Sequence, residues 1–260
     1  MPARPQLRDP LAVPARQQRR GGAPAVPDVR ASVVAAHRRS GPASRRLNRQ
    51  LLSAHRAGRA RGPHRRRAGD TVDNVRALIV VDVQNDFCEG GSLEVTGGAA
   101  VARAITDYLA TARGYDYVVA TKDLHIDPGD HFSDQPDYAS SWPPHCVAGS
   151  AGADFQPDLD TGPIEAVFRK GAYSAAYSGF EGIDDAGTPL LEWLRQRGVD
   201  EVDVVGLATD HCVRSTAEDA ARAGLSTRVL LDLTAGTAAE STAAAVEEMR
   251  AAGVAMAHST

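Results

Sequence analysis

The sequence has few cysteines and no long apolar segment. Its 260 residues include only Cys88, Cys146 and Cys212. This small, odd number argues against the disulfide framework of a secreted domain. No apolar run approaches the roughly 20 residues that a membrane span needs, and no apolar segment precedes a small-residue cleavage site. These absences favour a cytoplasmic protein without membrane segments.

Lysine is missing from the first 70 residues, which contain 17 arginines and only three acidic residues, a net charge of +14. The rest of the chain carries 12 basic and 30 acidic residues, so the overall charge of −4 averages two unlike segments. The first segment is rich in Ala, Gly and Pro, and its scattered apolar residues could bury little surface. We predict that residues 1–74 form a disordered Arg-rich extension.

Three interpretations of this extension compete. Arg clusters such as 65–67 suit an arm that binds nucleic acid or another acidic surface, and the acid-poor composition suits a transit peptide. The third interpretation is a start codon placed too far upstream, since the composition resembles GC-rich DNA read as protein. Val75, directly before the first predicted strand, could then be a GUG start. We favour this interpretation, because neither an amphipathic helix nor interleaved aromatic residues accompany the charge, as a transit peptide or a nucleic-acid-binding arm would require.

From residue 77 onward, apolar strands alternate with amphipathic helices. The run ALIVVDV at 77–83 is typical of a parallel strand buried on both faces. Further strands are predicted at 117–121, 165–169, 201–207, 227–232 and 254–257, and helices at 99–112, 189–197, 212–223 and 241–252. This order predicts an α/β fold in which helices cover both faces of a mostly parallel sheet. Residues 75–260 would form this single domain.

Four polar residues lie where successive predicted strands end: Asp82, Asp123, Lys170 and Cys212. The carboxyl ends of parallel strands form the usual ligand site of such a sheet. Asp82 would be costly to bury without a partner, which Lys170 could provide. Cys212 opens a predicted helix, whose dipole and free N–H groups would lower the pKa of the thiol and supply oxyanion donors.

Each of these residues also has an ordinary interpretation. Asp82 could accept hydrogen bonds from a neighbouring loop, and Lys170 could extend into solvent. A buried cysteine is most often inert, and we interpret Cys88 and Cys146 in this way.

A second group of polar residues lies in the long Gly/Pro/Asp-rich segment 123–161. It consists of Asp123, His125, His131 and His145. A loop of this length in a compact domain is usually functional, and imidazoles with a carboxylate suit a divalent Fe, Mn or Zn ion. The alternative is three unrelated surface histidines.

The chain resembles the nicotinamidases, also called pyrazinamidases, of the isochorismatase-like hydrolase superfamily, and most closely the actinobacterial type. The segments that carry the resemblance are ALIVVDVQNDFCEGGSL, TKDLHIDPGDHF, SSWPPHCVAGSAGADF, FRKGAYSAAYSGF, GTPLLEWLRQRGVDEVDVVGLATDHCVRSTAEDA and RVLLDLTAG. They cover the chain from about Val75 almost to its end. Residues 1–74 have no counterpart, which strengthens the upstream-start interpretation.

The resemblance implies a role for each group of residues. The catalytic triad would be Asp82, Lys170 and Cys212. The N–H groups of Ala208 and Cys212 would form the oxyanion hole, with a cis peptide between Leu207 and Ala208. The pyridine ring would be enclosed by Phe87, Trp142 and Tyr177, and one divalent metal held by Asp123, His125, His131 and His145. His211 would lie beside the pocket without a chemical role.

The implied activity is hydrolysis of nicotinamide to nicotinate and ammonia, and of pyrazinamide to pyrazinoate, through a cysteine thioester in NAD salvage. The substrate would be a small aromatic amide, and the enzyme a monomer or small homo-oligomer. The metal would position the ring and leave activation of the nucleophile to the triad. One alternative is another amidohydrolase of the superfamily, such as an isochorismatase or a carbamoyl amidohydrolase. Another, which the intact triad argues against, is a non-enzymatic protein that binds metal or nucleic acid.

Overall fold

The computed structural model describes residues 74–259. The predicted extension 1–74 therefore lies outside the described residues, apart from Asn74, and its disorder remains a prediction. Within residues 74–259, no helix combines the length and apolarity that crossing a membrane requires.

A six-stranded sheet forms the centre of the domain, in the order β3-β2-β1-β4-β5-β6. Every neighbouring pair of strands is parallel. The strands are β1 (Val75–Val81), β2 (Tyr117–Asp123), β3 (Ala166–Lys170), β4 (Val199–Leu207), β5 (Ser226–Ala235) and β6 (Ala255–Ala257). The helices are α1 (Gly98–Thr111), α2 (Leu190–Gln196), α3 (Arg214–Arg222) and α4 (Ala239–Ala251).

Helices cover both faces of the sheet, which confirms the predicted three-layer α/β/α architecture. Alternate residues of β1 point to opposite faces: Ile79 packs in the core with α2, α3 and α4, whereas Leu78 and Val80 pack in the core with α1. All three side chains are fully buried. Burial on both faces explains why this strand has a continuous apolar sequence.

Two local predictions near the site are wrong. Strand β1 ends at Val81, so Asp82 follows the strand with a φ of 47° instead of lying inside it. Cys212 lies in a π-helical turn, Thr209–Val213, that precedes α3, so it does not open an α-helix. Both residues thus occupy irregular backbone directly after a strand, where functional side chains are often held.

The long segment between β2 and β3 folds against the carboxyl ends of the strands. Backbone bridges join Gln84 to Phe155 and His125 to Val147. A third bridge joins Phe132 to Trp142. This bridge and the one between His125 and Val147 both lie within the segment itself. These contacts bring the predicted metal ligands next to the residues that follow β1 and β3.

Candidate active site

Asp82 is fully buried at the carboxyl end of β1. Its Oδ1 accepts a hydrogen bond of 2.6 Å from the Thr121 hydroxyl, and its Oδ2 lies 2.8 Å from the Nζ of Lys170. Burial raises the pKa of Asp82, and the Lys170 charge opposes this effect. The carboxylate is therefore a better proton acceptor than an exposed aspartate would be.

Lys170, the last residue of β3, lies among three acidic groups. Its Nζ is 2.8 Å from Asp82 Oδ2, 2.5 Å from Asp123 Oδ1 and 3.6 Å from the Cys212 sulfur. It also donates to the carbonyl of Ala176 at 3.0 Å. Burial by itself lowers the pKa of Lys170, but Asp123 and Asp82 outweigh burial and raise it well above its usual value. The ammonium group therefore remains charged.

The thiol of Cys212 is buried beside this ammonium group. Burial raises the pKa of Cys212 well above its usual value, Asp82 and Asp123 raise it further, and only Lys170 lowers it. The prediction that a helix N-terminus lowers this pKa is therefore wrong. Desolvation dominates, so the resting group is a thiol that needs a base to become nucleophilic.

The other two cysteines behave as inert thiols. The three cysteines of the sequence are all free and buried. Burial raises the pKa of Cys88 to about 11, and it also raises the pKa of Cys146. Cys212, by contrast, has the Nζ of Lys170 at 3.6 Å from its sulfur.

Three of the four predicted metal ligands are buried imidazoles. The donor atoms of His125, His131 and His145 lie within 4.8 Å of one another. His125 Nδ1 bonds the Gly171 carbonyl at 2.6 Å, and His145 Nδ1 bonds the Pro143 carbonyl at 2.8 Å. Such bonds orient imidazole rings so that the second nitrogen can bind a metal.

Unpaired nitrogen atoms indicate that these imidazoles fit a metal. His125 Nε2 and His131 Nδ1 are buried without a hydrogen-bond partner, which is costly unless another ligand is bound. Burial, reinforced by neighbouring histidines, lowers the pKa of His131 to about 4. Burial also lowers the pKa of His145 to about 4. At neutral pH the rings of His131 and His145 are uncharged, the form that binds metal.

Asp123 adjoins both groups of residues. Its Oδ1 is paired with Lys170, and its Oδ2 lies 3.8 Å from His125 Nε2. The donor atoms of Asp82, Asp123 and Cys212 also lie within 4.8 Å of one another. That second set is not a metal site, because the Lys170 ammonium already supplies its positive charge.

A cavity of about 280 Å³ opens onto both groups and is lined by Phe87, Trp142, Tyr177, Ala208 and Cys212, among others. Trp142 Nε1 donates a hydrogen bond of 3.0 Å to the Tyr177 hydroxyl, which joins two of the three predicted ring contacts. The Phe87 ring lies 5.7 Å from that of His145. The peptide between Leu207 and Ala208 is cis, as predicted. Most of the predicted site residues thus line one cavity. Lys170 contacts two of them, Asp123 and Cys212.

Several residues of the site were missed by the sequence reasoning. Tyr138 lines the cavity with a φ of 56°, yet it is 62% exposed and has no distinguishing signal in a Gly/Pro-rich loop. His211, given no role, stacks against Tyr177 and meets Trp142 edge-on. Thr121 and Gln84 support the site from β2 and the segment after β1. The sequence does not reveal the role of Gln84, because its partner Asp123 lies 39 positions away.

Comparison with known proteins gives consistent results. The isochorismatase domain family matches residues 76–260. The chain is 77% identical over 180 residues to the nicotinamidase/pyrazinamidase of Mycobacterium tuberculosis, covering 69% of this chain and 97% of that protein.

Two solved structures are similar. One, from L. infantum in complex with nicotinate, has a TM-score of 0.63 and 38% identity over 72% of this chain and 94% of the other. The pyrazinamidase of Pyrococcus horikoshii, in complex with zinc, has a TM-score of 0.61 and 36% identity over 70% of this chain and 98% of the other.

Proposed function

The chain belongs to the isochorismatase family, and from this premise we propose that it hydrolyses nicotinamide to nicotinate and ammonia. The observation that carries the proposal is one cavity that adjoins both the cluster of Asp82, Lys170 and Cys212 and a set of three imidazoles with a carboxylate. The relatives named nicotinamidase or pyrazinamidase support the substrate class. Pyrazinamide, with a similar ring and carboxamide, would be a second substrate.

The first half of the reaction forms a thioester. Asp82 accepts the proton of the Cys212 thiol, and the thiolate attacks the carboxamide carbon. The raised pKa of Asp82 suits this transfer, and the charge of Lys170 stabilises the thiolate. The N–H groups of Ala208 and Cys212 would bind the tetrahedral oxyanion. Asp82 then returns the proton to the departing nitrogen as the C–N bond breaks, releasing ammonia.

The second half consumes the thioester. A water molecule gives a proton to Asp82 and attacks the acyl carbon. The C–S bond breaks, and the proton from Asp82 restores the Cys212 thiol. The product leaves as nicotinic acid, which becomes nicotinate by losing its proton to solvent. Lys170 stays protonated throughout, because the neighbouring carboxylates hold its pKa high.

Asp123, His125, His131 and His145 would hold one divalent ion, and this donor set suits Fe, Mn or Zn. When bound, the ion would supply a Lewis-acidic contact for the pyridine nitrogen, directly or through water. Phe87, Trp142 and Tyr177 would enclose the ring and hold the carboxamide near Cys212. The ion would thus act in substrate selection, whereas Asp82 performs the proton transfers.

The second candidate is another amidohydrolase of the same family, because the triad by itself would serve several amides. The imidazole set favours a ring that carries a nitrogen atom. Benzamide lacks that nitrogen but has nearly the same shape, so it is a suitable control substrate.

The decisive experiment measures ammonia release from nicotinamide and benzamide, with metal content determined on the same sample. We expect about one metal per chain, turnover of nicotinamide, and a much lower kcat/KM for benzamide. The 75–260 segment, proposed as the hydrolase domain, should match the full chain. Equal rates on both amides, or full activity without metal, would favour the second candidate. Inactivity towards nicotinamide in a folded, metal-loaded protein would refute the proposal.

The cellular setting is a separate proposal. Three free, buried cysteines suit a reducing compartment, so we propose that the enzyme acts in the cytoplasm, in NAD salvage, as a monomer or small homo-oligomer. Cell fractionation would test the location, and light scattering on the purified chain would give the oligomeric state.

A further inference from the structure

We propose that Asp86 is a positioning residue for the metal site, which it organises by holding the backbone beside the predicted ligand His145. Asp86 lies in the 3₁₀ turn Asn85–Phe87 after β1. Within residues 74–259 its carboxylate makes hydrogen bonds to Cys146 and Ser92, and none to a predicted ligand or triad side chain. The inference rests on the proposed metal site.

The bond from Asp86 to Cys146 is short and charge-assisted. Asp86 Oδ2 accepts the Cys146 N–H at 2.6 Å. Its Oδ1 accepts the N–H and hydroxyl of Ser92 at 3.3 and 3.2 Å, which orients the carboxylate. Bonds to an ionised acceptor are stronger than bonds between neutral groups. The peptide that joins His145 to Cys146 is therefore fixed from the segment after β1.

Cys146 needs such support because of its backbone conformation. It is fully buried and has a φ of 45°, which is rare for a residue other than glycine. This strain persists only where the surroundings enforce it. The Cys146 carbonyl accepts the N–H of His125 at 3.0 Å. Cys146 is thus held at its N–H by Asp86 and at its carbonyl by the N–H of His125, a second predicted metal ligand.

Gly152 brings a third segment against the same carboxylate. A Cβ atom added at Gly152 would lie 2.1 Å from Asp86 Oδ2, so only glycine lets this backbone approach so closely. Asn85 Nδ2 also donates to the Ala151 carbonyl at 2.8 Å. The carboxylate therefore occupies a fitted position between the loop that carries His145 and the loop at 151–153.

Gln84 holds the backbone of another predicted metal ligand, Asp123. Its side-chain oxygen accepts the Asp123 N–H at 2.8 Å, and its Nε2 donates to the Asp123 carbonyl at 2.9 Å. Its Nε2 also donates to the Ala153 carbonyl at 3.0 Å. Gln84 and Asp86 thus fix the backbone at or beside two ligands that lie 22 positions apart in the sequence. The two side chains thereby set the distance between Asp123 and His145 without contacting the metal.

The experiment compares Zn²⁺ affinity and thermal unfolding in full-length variants, using a chromogenic chelator as competitor. Asp86→Ala should weaken Zn²⁺ binding by about 10–100-fold, the usual effect of losing a group that orients metal ligands. Asp86→Asn should restore most of the affinity, because its amide oxygen can still accept the Cys146 N–H. The matched control is Asp184→Ala, which removes a carboxylate that accepts the N–H groups of Ala186 and Thr188 in a loop after β3. It should leave Zn²⁺ affinity unchanged.

Gly152→Ala provides an independent check, since it keeps Asp86 but displaces its carboxylate, and it should also weaken Zn²⁺ binding. Wild-type Zn²⁺ affinity in Asp86→Ala, or equal losses in Asp86→Ala and Asp184→Ala, would overturn the inference. A wild-type chain that binds no Zn²⁺ would overturn it together with the metal site. Ammonia release from nicotinamide tests the hydrolase function separately.

Discussion

Two clusters of charged residues, each with a buried residue at its centre, lie on the same parallel sheet. Around Lys170, at the carboxyl ends of the strands, one cation faces Asp82, Asp123 and the Cys212 thiol. Around Asp203, nearer the amino ends of β1 and β5, one anion faces two cations and a phenol. Around Lys170 the acidic groups outnumber the single cation, whereas around Asp203 two arginines face two carboxylates, because Glu201 also lies 3.3 Å from Arg76 Nε.

The Asp203 cluster has a partner for every carboxylate oxygen. Asp203 is 2% exposed, and Arg228 bonds both of its oxygens at 2.7 Å. Arg76 adds a bond of 2.8 Å, and the Tyr115 hydroxyl donates another. Burial by itself raises the pKa of Asp203, but bonds from Arg228 and Tyr115 and the arginine charges hold it below its usual value. Within residues 74–259, no buried side-chain nitrogen or oxygen of this cluster lacks a hydrogen-bond partner, and its bonds connect β1, β4 and β5.

The Lys170 cluster differs because it contains more acidic groups than its single cation can pair. It adjoins the cavity, and Cys212 lines that cavity. Polar atoms at this end remain without a hydrogen-bond partner, including His125 Nε2 and His131 Nδ1. A buried polar group without a full set of partners is costly for stability but available for chemistry. The comparison thus separates a structural cluster from a functional one.

The largest expected effect is on turnover. Cys212→Ala should lower kcat for nicotinamide by about 10⁴-fold or more, because the nucleophile is lost. Its metal content should stay at the wild-type level, since Cys212 is not among the predicted ligands. Ammonia release and metal analysis on one sample measure both. Cys88→Ala, which removes another buried thiol, is the matched control and should remain active. Metal loss in Cys212→Ala would contradict the separation of triad and metal roles.

Asp203→Asn should instead affect stability. We expect the free energy of unfolding to fall by about 2–3 kcal/mol, somewhat less than for a fully buried pair because the arginines are partly exposed. Chemical denaturation would measure this loss. The kcat of the folded variant should be unchanged, and a large fall in kcat would refute the distinction between the clusters.

The pH dependence of the stability loss in Asp203→Asn follows from the lowered pKa of Asp203. A carboxylate with a depressed pKa contributes its full stability at pH values above its unfolded-state pKa of about 3.9. This contribution is lost as the pH falls through the folded-state pKa. The stability gap between wild type and Asp203→Asn should therefore be constant near neutral pH and shrink below about pH 4. A gap that widens on acidification would contradict the assignment.

Tyr115→Phe should have the smallest effect. It removes the hydroxyl that bonds the Asp203 carboxylate and the Tyr108 hydroxyl. Because the carboxylate keeps both arginines, the loss should be about 1–2 kcal/mol of unfolding free energy. Thermal unfolding would detect it, and kcat/KM for nicotinamide should not change. A loss as large as that of Asp203→Asn would mean that the hydroxyl, and not the arginines, holds the cluster together.

Much of the fold could be predicted because its signals are local. The β1 strand has an apolar sequence on both faces, and the alternation of strands and helices determines a parallel sheet with helices on either side. Polar residues at strand ends then pointed to one edge of the sheet, where Asp82, Lys170 and Cys212 do meet.

Other features depended on contacts between distant segments. The pKa of Cys212 was predicted in the wrong direction, because the sequence suggested a helix N-terminus but not how completely the thiol is buried. Asp86 and Gln84 had no visible role, since their partners Cys146 and Asp123 lie far along the chain. Tyr138 reaches the cavity only through the path of a long loop.

The sequence by itself determined the parallel sheet, the edge that bears the site, and the kinds of side chain available there, because residue type and periodicity act over short distances. Only the tertiary structure decided which charges are paired, which atoms remain without partners, and how far burial shifts each pKa. Desolvation and charge pairing depend on what surrounds a group in space, and those surroundings come from distant segments, as for Arg76 and Asp203, which lie 127 positions apart.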